Sequence, residues 1–409
     1  MNILFFVFVS LISIVASQNS DHKLIFSQVL FRHGARAPSV NLTNPSYAKQ
    51  FHRGKGELTD RGFDNSYKLG KFLKKRYVDT GFLNPNMIPS EMYWRSVNKR
   101  RCLSTAATVG ASMFEDPAKH LQVAVFTDEL GENLLSYAQA DCPREMEIVK
   151  EKCPAFNGMF NPWPVYEGFI AECLKYDHPV FKDHPFPTIE AHMNEYKNGI
   201  DLPPALAGNL NTVMEMYVNV TQFITGTGNF HNKEIMKMKF GYLVHMLLRN
   251  LEKAGGISAG NSEDEEESRA KFVAYSTQDW ILMGVLDSFG ALKEAVGLDT
   301  YPEYNSMIII ELLETKNKEM VVKMYYKKEE DTSEDHQLID ITANVRNCAG
   351  STDGCPLKKF VDCCSDYKHS KPLELCQVTS KTKKLRRRHL SFENIENVPI
   401  KQTQFTGPE

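Results

Sequence analysis

The feature that most constrains the fold is an apolar run that leads directly into a polar loop. Residues 24–31 read LIFSQVLF, and residues 32–38 continue as RHGARAP. A short apolar run followed by a polar segment that contains glycine is typical of a buried strand that feeds a functional loop. The sequence therefore predicts a central strand that carries this loop to a candidate site.

Strand-like and helix-like patterns alternate along much of the remaining chain. Strand–loop–helix alternation of this kind indicates an α/β fold. The predicted helices lie at 58–77, 102–114 and 280–289, the last of them stopped by Gly290. The further predicted strands lie at 90–95, 271–275, 307–313 and 320–326, and the last two are expected to pair as a hairpin.

One segment breaks this alternation. In residues 136–240, Pro, aromatic residues and short helical stretches follow one another without a strand-like run. We interpret this segment as an inserted, mainly helical cap. Residues 18–135 and 241–376 then form the α/β core, and residues 240–254 have the pattern of an amphipathic helix. The run SEDEEESR at 262–269 is expected to be a solvated loop.

The amino end of the chain has the pattern of a targeting segment. Residues 1–17 contain no charged side chain and include an apolar stretch at 3–15. This stretch is shorter than the about 20 apolar residues of a membrane span, and Val15 and Ser17 offer small residues at a cleavage site. We predict a signal peptide at 1–17 and a secreted or lumenal protein, extracellular or lysosomal, without a membrane anchor. The alternative is an N-terminal helix or strand that stays buried.

Secretion would make two Asn-X-Thr motifs available for glycosylation, at Asn41 and Asn219. The formal net charge of −3 gives no general attraction to nucleic acid, so no nucleic-acid partner is expected. Residues 377–409 nevertheless carry seven basic and three acidic side chains, and we interpret them as a basic, flexible tail. Polyanion binding, proteolytic trimming and a plain solvated tail remain open for this segment.

The loop at 32–38 has the side chains that phosphate chemistry requires. Arg32 and Arg36 flank His33, and a guanidinium group presents planar donors that match phosphate oxygens and stays charged at every pH. An imidazole held between them can attack phosphorus and form a covalent phosphohistidine. Gly34 lets the backbone approach a ligand closely. The alternative is an ordinary surface loop with an isolated histidine.

With these residues the chain resembles the histidine acid phosphatase family, the second branch of the histidine phosphatase superfamily, which includes prostatic and lysosomal acid phosphatases. The resemblance covers about residues 23–376 and depends above all on RHGARAP. The supporting segments are GELT at 56–59 with Gly62, MYWRS at 92–96 with Arg101, 275–286, MYY at 324–326, and 348–357. The resemblance implies a phosphoglycerate-mutase-like core, with a mixed, mostly parallel sheet flanked by helices, and an inserted helical cap.

The resemblance also implies roles for individual residues. His33 matches the nucleophile, and Asp279 matches the acid that protonates the leaving oxygen. The residues that match the phosphate ligands are Arg32, Arg36 and Arg95. The implied enzyme is an acid phosphatase that hydrolyses phosphate monoesters and needs no metal or other cofactor, since arginines supply the positive charge. Asp279 also suits a helix N-cap, and the two roles are compatible.

Two departures from the family pattern affect these expectations. Gln278 stands where the family has His, and an amide can donate a hydrogen bond to phosphate but cannot carry a positive charge. We therefore expect Gln278 to bind phosphate in a working but slower enzyme. Val97 and Asn98 replace the usual Thr and Asp. The alternatives are a catalytically weakened, secreted binder of phosphorylated ligands and a specialised phytase-like phosphatase. A homodimer is compatible with the resemblance.

The nine cysteines cannot all pair within one chain, because their number is odd. The resemblance implies two disulfides, Cys348–Cys355 and Cys142–Cys376. Cys102 lies in an apolar helical segment and is the candidate for a free, buried thiol. The remaining pairing stays open between Cys153 with Cys173 and either of these with Cys363 or Cys364. A zinc site is the competing interpretation, but no CxxC pair or matching His spacing supports it.

Overall fold

The computed structural model describes residues 22–128, 142–154, 173–176, 178–257, 270–328 and 338–377. The signal peptide predicted at 1–17, the acidic run at 262–269 and residues 378–409 of the predicted tail lie outside the described residues. Within these ranges the strands form one eight-stranded sheet. This sheet positions the candidate site.

The sheet is mixed, with mostly parallel strands. Its strands are β1 His22–Arg32, β2 Met92–Ser96, β3 Val125–Thr127, β4 Phe272–Thr277, β5 Met307–Thr315, β6 Met320–Lys327, β7 Ile339–Asp340 and β8 Cys355–Pro356. Their order is β3-β2-β4-β1-β5-β6-β7, and β8 also pairs with β6. The strands β1 to β4 run parallel to one another, while β5 is antiparallel to both β1 and β6. This arrangement confirms the predicted fold class.

The apolar run at 24–31 forms the central strand that its pattern predicts. It belongs to β1, which lies between β4 and β5. Leu30 packs with one apolar cluster, whereas Val29 and Phe31 pack with another on the opposite face. A strand that is buried on both faces needs a nearly continuous apolar sequence. The loop after Arg32 therefore starts from the middle of the sheet.

Helices cover both faces of the sheet. Their bounds are α1 Asp60–Leu73, α2 Arg100–Met113, α3 Pro143–Lys152, α4 Pro179–Asp183, α5 Phe186–Lys197, α6 Pro204–Ala207, α7 Leu210–Thr225, α8 Lys233–Ala254, α9 Asp279–Phe289, α10 Leu292–Ala295 and α11 Leu357–Asp362. The helices α1 and α2 pack on the face of Val29, and α8, α9 and α11 pack on the face of Leu30. No helix in the described part of the chain is long and apolar enough to cross a membrane.

Local sequence explains where several helices begin and end. The Thr59 side chain caps α1, because its oxygen accepts a hydrogen bond from the backbone N–H of Gly62 at 3.2 Å. Helix α9 ends at Gly290, whose φ of +88° is a left-handed conformation that glycine adopts without strain. Helix α8 begins at Lys233, after the capping residue Asn232, and not at 240 as predicted. Charged residues in its first two turns obscure the apolar pattern there.

The described residues between β3 and β4 contain helices and turns but no strand. Side chains from α3 to α8 share an apolar cluster of their own, separate from the two clusters at the sheet. Members of this cluster include Val149, Ile189, Met216 and Met238. The observed content is therefore mainly helical, while the division of the chain at 136 and 240 stays a prediction.

All nine cysteines lie in the described ranges. The structure pairs eight of them, as Cys142–Cys376, Cys153–Cys173, Cys348–Cys355 and Cys363–Cys364. Cys102 is a buried free thiol, and burial raises its pKa to about 12, so it is unreactive at neutral pH. The first of these disulfides joins residues 234 positions apart and ties the end of the described chain to α3.

Candidate active site

The polar loop at 32–38 leaves the sheet beside the amino end of α9. Arg32 is paired with Thr277 in the register of β1 and β4, and the backbone N–H of His33 donates to the Thr277 carbonyl oxygen at 3.1 Å. The next residues after Thr277 are Gln278 and Asp279, where α9 begins. Parallel strands end at the same edge of a sheet. The pairing of β1 with β4 therefore brings the loop and the Gln278–Asp279 pair together.

Close packing on α1 and α2 fixes the loop. The backbone N–H of Gly34 donates to the Thr105 hydroxyl at 3.1 Å. A Cβ at position 34 would lie 2.4 Å from the Gly62 carbonyl oxygen and 2.8 Å from Ser66 Oγ, which is closer than a side chain can approach. Only glycine fits at this position, so the loop packs closely against α1.

The contacts of His33 define a neutral imidazole with one tautomer. Its Nδ1 lies 2.9 Å from the Gly34 carbonyl oxygen, which can only accept, so Nδ1 carries the hydrogen. Its Nε2 accepts a hydrogen bond from Arg101 Nε at 3.1 Å. Burial and then three arginine charges hold the pKa of His33 well below its usual range, and these arginines are Arg101, Arg32 and Arg36. The Nε2 lone pair therefore stays unprotonated to a lower pH than that of an ordinary histidine.

Arg32 connects the His33 loop to the candidate proton donor, Asp279. Its Nη2 lies 2.8 Å from Asp279 Oδ2, and its Nη1 donates to the Pro302 carbonyl oxygen at 2.7 Å. Its guanidinium carbon lies 4.2 Å from the centre of the Tyr304 ring, which is a cation–π distance. Burial is the largest single effect and lowers the pKa of Arg32, but Asp279, Tyr304, Tyr301 and Glu303 together outweigh it, so the pKa is raised. Arg32 is therefore charged and held on several sides.

A buried carboxylate from α5 holds Arg36. The Arg36 Nη1 lies 3.0 Å from Oε1 of Glu190, which is 0% exposed. Glu190 also accepts a hydrogen bond from the backbone N–H of Ser39 at 3.2 Å. Just beyond α5, the Asn198 side chain donates to the Arg36 carbonyl oxygen at 3.0 Å. Residues of this one helical segment therefore position both the side chain and the backbone of Arg36.

Arg95 lies at the same edge of the sheet, at the end of β2. The strand register places it opposite Tyr275 of β4. Its guanidinium group pairs with Asp128, which follows β3, and each of the two side chains is 7% exposed. Asn98 donates to the Asp128 carbonyl oxygen at 2.7 Å and so steadies this partner. The ends of β1, β4 and β2 thus carry the predicted nucleophile, acid and third arginine.

The side-chain amide of Gln278 has a defined orientation. Its Oε1 accepts a hydrogen bond from the Trp280 indole Nε1 at 2.8 Å, which leaves its NH₂ group to donate elsewhere. Gln278 is 8% exposed and occupies the N-cap position of α9. It therefore offers a neutral hydrogen-bond donor, without positive charge, next to Asp279.

Asp279 is the first residue of α9. The sequence suited it to the N-cap position, but Gln278 occupies that position. Its Oδ1 accepts a hydrogen bond from the Trp280 backbone N–H at 2.8 Å, and its Oδ2 pairs with Arg32. A helix N-terminus is a favourable place for a carboxylate. The side chain is 19% exposed, so a substrate oxygen can reach a carboxyl group that the helix already orients.

Two of these contacts have no counterpart in the sequence predictions. Arg101 follows the MYWRS segment, but nothing in the spacing shows that it reaches a histidine 68 residues away. Glu190 lies 151 residues after the Ser39 N–H that it binds, and no local pattern marks it. In the described ranges no three His, Cys, Asp or Glu side chains are grouped to hold a metal ion. Arginines are the cationic groups placed around His33.

Comparisons with known proteins support the family resemblance of the sequence. The family model of the histidine phosphatase superfamily (branch 2) matches residues 23–223, which include the His33 loop and Arg95. A Caenorhabditis elegans protein named for an inferred acid phosphatase activity is 28% identical over 399 residues, covering 94% of this chain and 88% of that protein. The prostatic acid phosphatase of Mus musculus is 25% identical over 371 residues, covering 87% of this chain and 89% of that protein.

Solved structures share the architecture. A phytase from Hafnia alvei in complex with tartrate has a TM-score of 0.61 at 15% identity, covering 88% of this chain and 99% of that one. A phytase from Klebsiella sp. ASR1 has a TM-score of 0.56 at 14% identity, and the match covers 86% of this chain and 96% of that one. At these identities the likeness shows the fold alone. The family match and the acid phosphatase relatives indicate a phosphatase that is similar to the histidine phosphatase superfamily, branch 2.

Proposed function

We propose that this protein is a secreted or lumenal acid phosphatase that hydrolyses phosphate monoesters through a phosphohistidine on His33. The observation that carries the proposal is the neutral imidazole, whose Nε2 lone pair lies among guanidinium groups. Those groups attract a phosphate anion and place its phosphorus next to a nucleophile that stays unprotonated at low pH. The names of the acid phosphatase relatives support the same activity.

In the first chemical step, His33 Nε2 attacks phosphorus and the bond between phosphorus and the ester oxygen breaks. Asp279 gives its proton to the departing oxygen, so the leaving group departs as an alcohol. The arginines of the site stabilise charge on the phosphoryl oxygens, and Gln278 donates a neutral hydrogen bond. The step leaves a phosphohistidine and an ionised Asp279.

In the second step, a water molecule attacks phosphorus and the bond from phosphorus to Nε2 breaks. The Asp279 carboxylate accepts the proton of the attacking water, and inorganic phosphate departs. His33 returns to its neutral form and Asp279 to its protonated form. One cycle therefore converts one monoester and one water into an alcohol and phosphate.

Acidic conditions suit both reacting groups. A carboxyl group carries its proton mainly at low pH, and His33 stays unprotonated there because its pKa lies well below the usual range. Without substrate, Arg32 pairs with Asp279 at 2.8 Å. A substrate phosphate competes for this guanidinium group and so frees the carboxyl group to take up a proton.

Secretion and glycosylation belong to the same proposal. Four disulfides are typical of a protein from an oxidising compartment. Asn41 is exposed just after the RHGARAP loop. Asn219 is half-buried on α7, and its side chain donates to the Tyr176 hydroxyl at 2.6 Å. We expect a glycan at Asn41 and lower occupancy at Asn219.

The test is hydrolysis of p-nitrophenyl phosphate at about pH 5 by the wild type, His33→Ala and the control His52→Ala, whose histidine is exposed. We expect His33→Ala to lose at least about a thousandfold in turnover and His52→Ala to match the wild type. Equal turnover in His33→Ala would overturn the mechanism. No turnover by the wild type, with inorganic phosphate still bound, would favour the alternative of a weakened binder.

A phytase-like specificity is the second candidate, because solved structures with the same fold are named phytases. The assay is repeated with inositol hexakisphosphate. We expect p-nitrophenyl phosphate to be the better substrate, since the chain outside its basic tail is acidic overall and a polyanion favours a basic pocket. Faster turnover of inositol hexakisphosphate would reverse this preference. The homodimer remains a prediction, and a measurement of the molecular mass in solution would test it.

A further inference from the structure

A large cleft lies at the end of the sheet that is remote from His33. It has a volume of about 1220 Å³, and its lining comes mainly from the start of β1, the end of α1, β5 and β6. We call this space the α1 cleft. His22 begins β1 and Arg32 ends it, so the α1 cleft and the candidate active site lie roughly 30 Å apart along this strand. The α1 cleft is therefore separate from the chemistry proposed for His33.

The floor of the α1 cleft is a stretch of the sheet with apolar side chains. The backbone of β5 is hydrogen-bonded to β1 on one side and to β6 on the other, so a ligand meets side chains here and not a free strand edge. The apolar and aromatic side chains of the lining include Leu24, Phe72, Phe82, Leu313 and Tyr325. Most of them are only partly buried. They therefore offer apolar surface to the hydrocarbon part of a ligand.

The charges of the α1 cleft are mainly positive. Its cationic side chains are Lys23, Lys75, Arg76, Lys271 and Lys323, and its acidic side chain is Glu311. Two carboxylates from outside the lining join this set, since Glu91 lies 2.9 Å from Lys271 and Asp353 lies 3.9 Å from Lys323. Five cationic and three acidic groups leave two positive charges, although the chain outside its basic tail is acidic overall. The α1 cleft therefore attracts an anion.

The fold holds Arg76 in a defined position in the wall of the α1 cleft. Its Nε and Nη2 each donate to an oxygen of Glu311 at 2.8 Å, and the Tyr77 hydroxyl donates to Glu311 at 2.8 Å as well. These donors compensate the carboxylate, which is 6% exposed and so does not repel an incoming anion. Arg76 and Tyr77 belong to the π-helical turn Lys74–Val78 that follows α1, and such turns are frequent at functional sites. The Arg76 side chain is 28% exposed, so it can also donate to a ligand.

We propose that the α1 cleft binds a long-chain fatty acid, with its carboxylate among the lysines and Arg76 and its hydrocarbon chain along the apolar floor. The volume of the cleft exceeds the roughly 300–1000 Å³ of most small-ligand pockets, so a long chain fits. Ion pairs hold the head group, and removal of apolar surface from water holds the chain. This inference goes beyond the proposed function, because it concerns a separate site and no covalent step.

Fatty-acid affinity tests the charged half of the proposal. Dodecanoate is titrated into the protein by calorimetry at about pH 7, where its carboxylate is ionised. The double variant Lys75→Gln/Lys323→Gln removes two charges from the α1 cleft. The matched control is Lys233→Gln/Lys293→Gln, since both of these lysines are exposed and lie outside the cleft. We expect about tenfold weaker binding by the first variant and less than about a twofold change in the control. Equal affinity in the two variants would overturn the proposal.

The length of the hydrocarbon chain tests the apolar half. Hexanoate has the same head group as dodecanoate but less apolar surface, so we expect it to bind at least about tenfold more weakly. Equal affinities for the two acids would show that the apolar floor takes no part. Inorganic phosphate tests the location, and we expect it to leave the affinity for dodecanoate unchanged. Competition between phosphate and dodecanoate would place the fatty acid at the candidate active site and overturn the proposal.

The acidic run at 262–269 precedes Lys271 closely in the sequence and is the other candidate occupant of the α1 cleft. A variant with serine at positions 263–267 lacks the five acids of this run. We expect this variant to bind dodecanoate with the affinity of the wild type. Binding by the variant alone would mean that the acidic run itself occupies the cleft, and binding by neither protein would exclude a fatty acid. Either result would overturn the proposal, and neither depends on phosphatase turnover.

Discussion

The imidazole of His33 makes two hydrogen bonds of opposite sense, one donated to Gly34 and one accepted from Arg101. This pair of contacts decides which ring nitrogen can react. The sequence predicts that a histidine lies between two arginines near a phosphate. It cannot predict the reactive nitrogen, because that depends on a helix residue 68 positions away that only the fold brings close.

The depressed pKa of His33 predicts a pH-dependent stability. In the unfolded chain this pKa is about 6.5, so unfolding takes up a proton below that pH. The stability from neutral His33 is therefore fully present above about pH 6.5 and is lost as the pH falls toward the folded pKa. In urea unfolding we expect the wild type to lose about 2 kcal/mol relative to His33→Gln between about pH 7.5 and pH 5. If the free energies of unfolding of the wild type and His33→Gln changed with pH in the same way, the lowered pKa of His33 would be contradicted.

Glu190 is predicted to act as a positioning residue through Arg36. Glu190→Ala leaves a buried guanidinium group without its carboxylate, so we expect a loss of about 3 kcal/mol in the free energy of unfolding. The value of kcat/KM should fall about tenfold or more. Glu190→Gln keeps a hydrogen-bond acceptor and should restore part of the stability. The control is Glu234→Gln, whose exposed pair with Arg144 should contribute less than about 1 kcal/mol.

At the scale of elements, strong local patterns predict positions well. The hairpin predicted at 307–313 and 320–326 forms as β5 and β6, and α9 ends at Gly290 as predicted. The start of α8 is wrong by seven residues because its first two turns are charged. Contacts between distant elements, such as Glu190 on α5 with the Arg36 loop, leave no local pattern in the sequence and could not be predicted from it.

The contact between the Gly34 loop and α1 gives a prediction at this scale. Gly34→Ala would place a Cβ 2.4 Å from the Gly62 carbonyl oxygen, so the loop or the helix must shift. We expect a loss of about 2 kcal/mol in stability and at least about a tenfold decrease in kcat/KM. Gly208→Ala is the control, because its backbone conformation is ordinary. Similar effects of the two substitutions in urea unfolding and steady-state kinetics would contradict the close packing.

At the scale of the whole molecule, the helical segment between β3 and β4 takes part in the site. Asn198 accepts a hydrogen bond from Thr59 at 2.7 Å and donates to the Arg36 carbonyl oxygen. Asn194 accepts a hydrogen bond from the Tyr304 hydroxyl at 2.5 Å, and the Tyr304 ring packs on Arg32. The segment predicted as a cap thus supports the side chains that we propose to bind phosphate, from outside the sheet. The sequence predicts its helical content, but these polar contacts emerge only from the fold.

The cysteine arrangement predicts a thiol count for the whole chain. Eight cysteines are paired, and Cys102 is buried with its pKa raised to about 12. We expect no reaction of the native protein with Ellman's reagent and one reactive thiol per chain in guanidinium chloride without reductant. Three or more thiols would contradict the four disulfides. A disulfide-linked dimer without a free thiol would place Cys102 in a bridge between chains.

The covalent bond between phosphorus and His33 Nε2 is the central claim, and trapping it tests that claim most directly. The wild type is mixed with excess p-nitrophenyl phosphate at about pH 5, quenched in alkali, which preserves phosphohistidine, and digested for mass spectrometry. We predict one phosphoryl group on the peptide that contains His33, and none on that peptide in His33→Ala. Turnover by the wild type with no phosphoryl group on His33, or with the group on another residue, would contradict the mechanism.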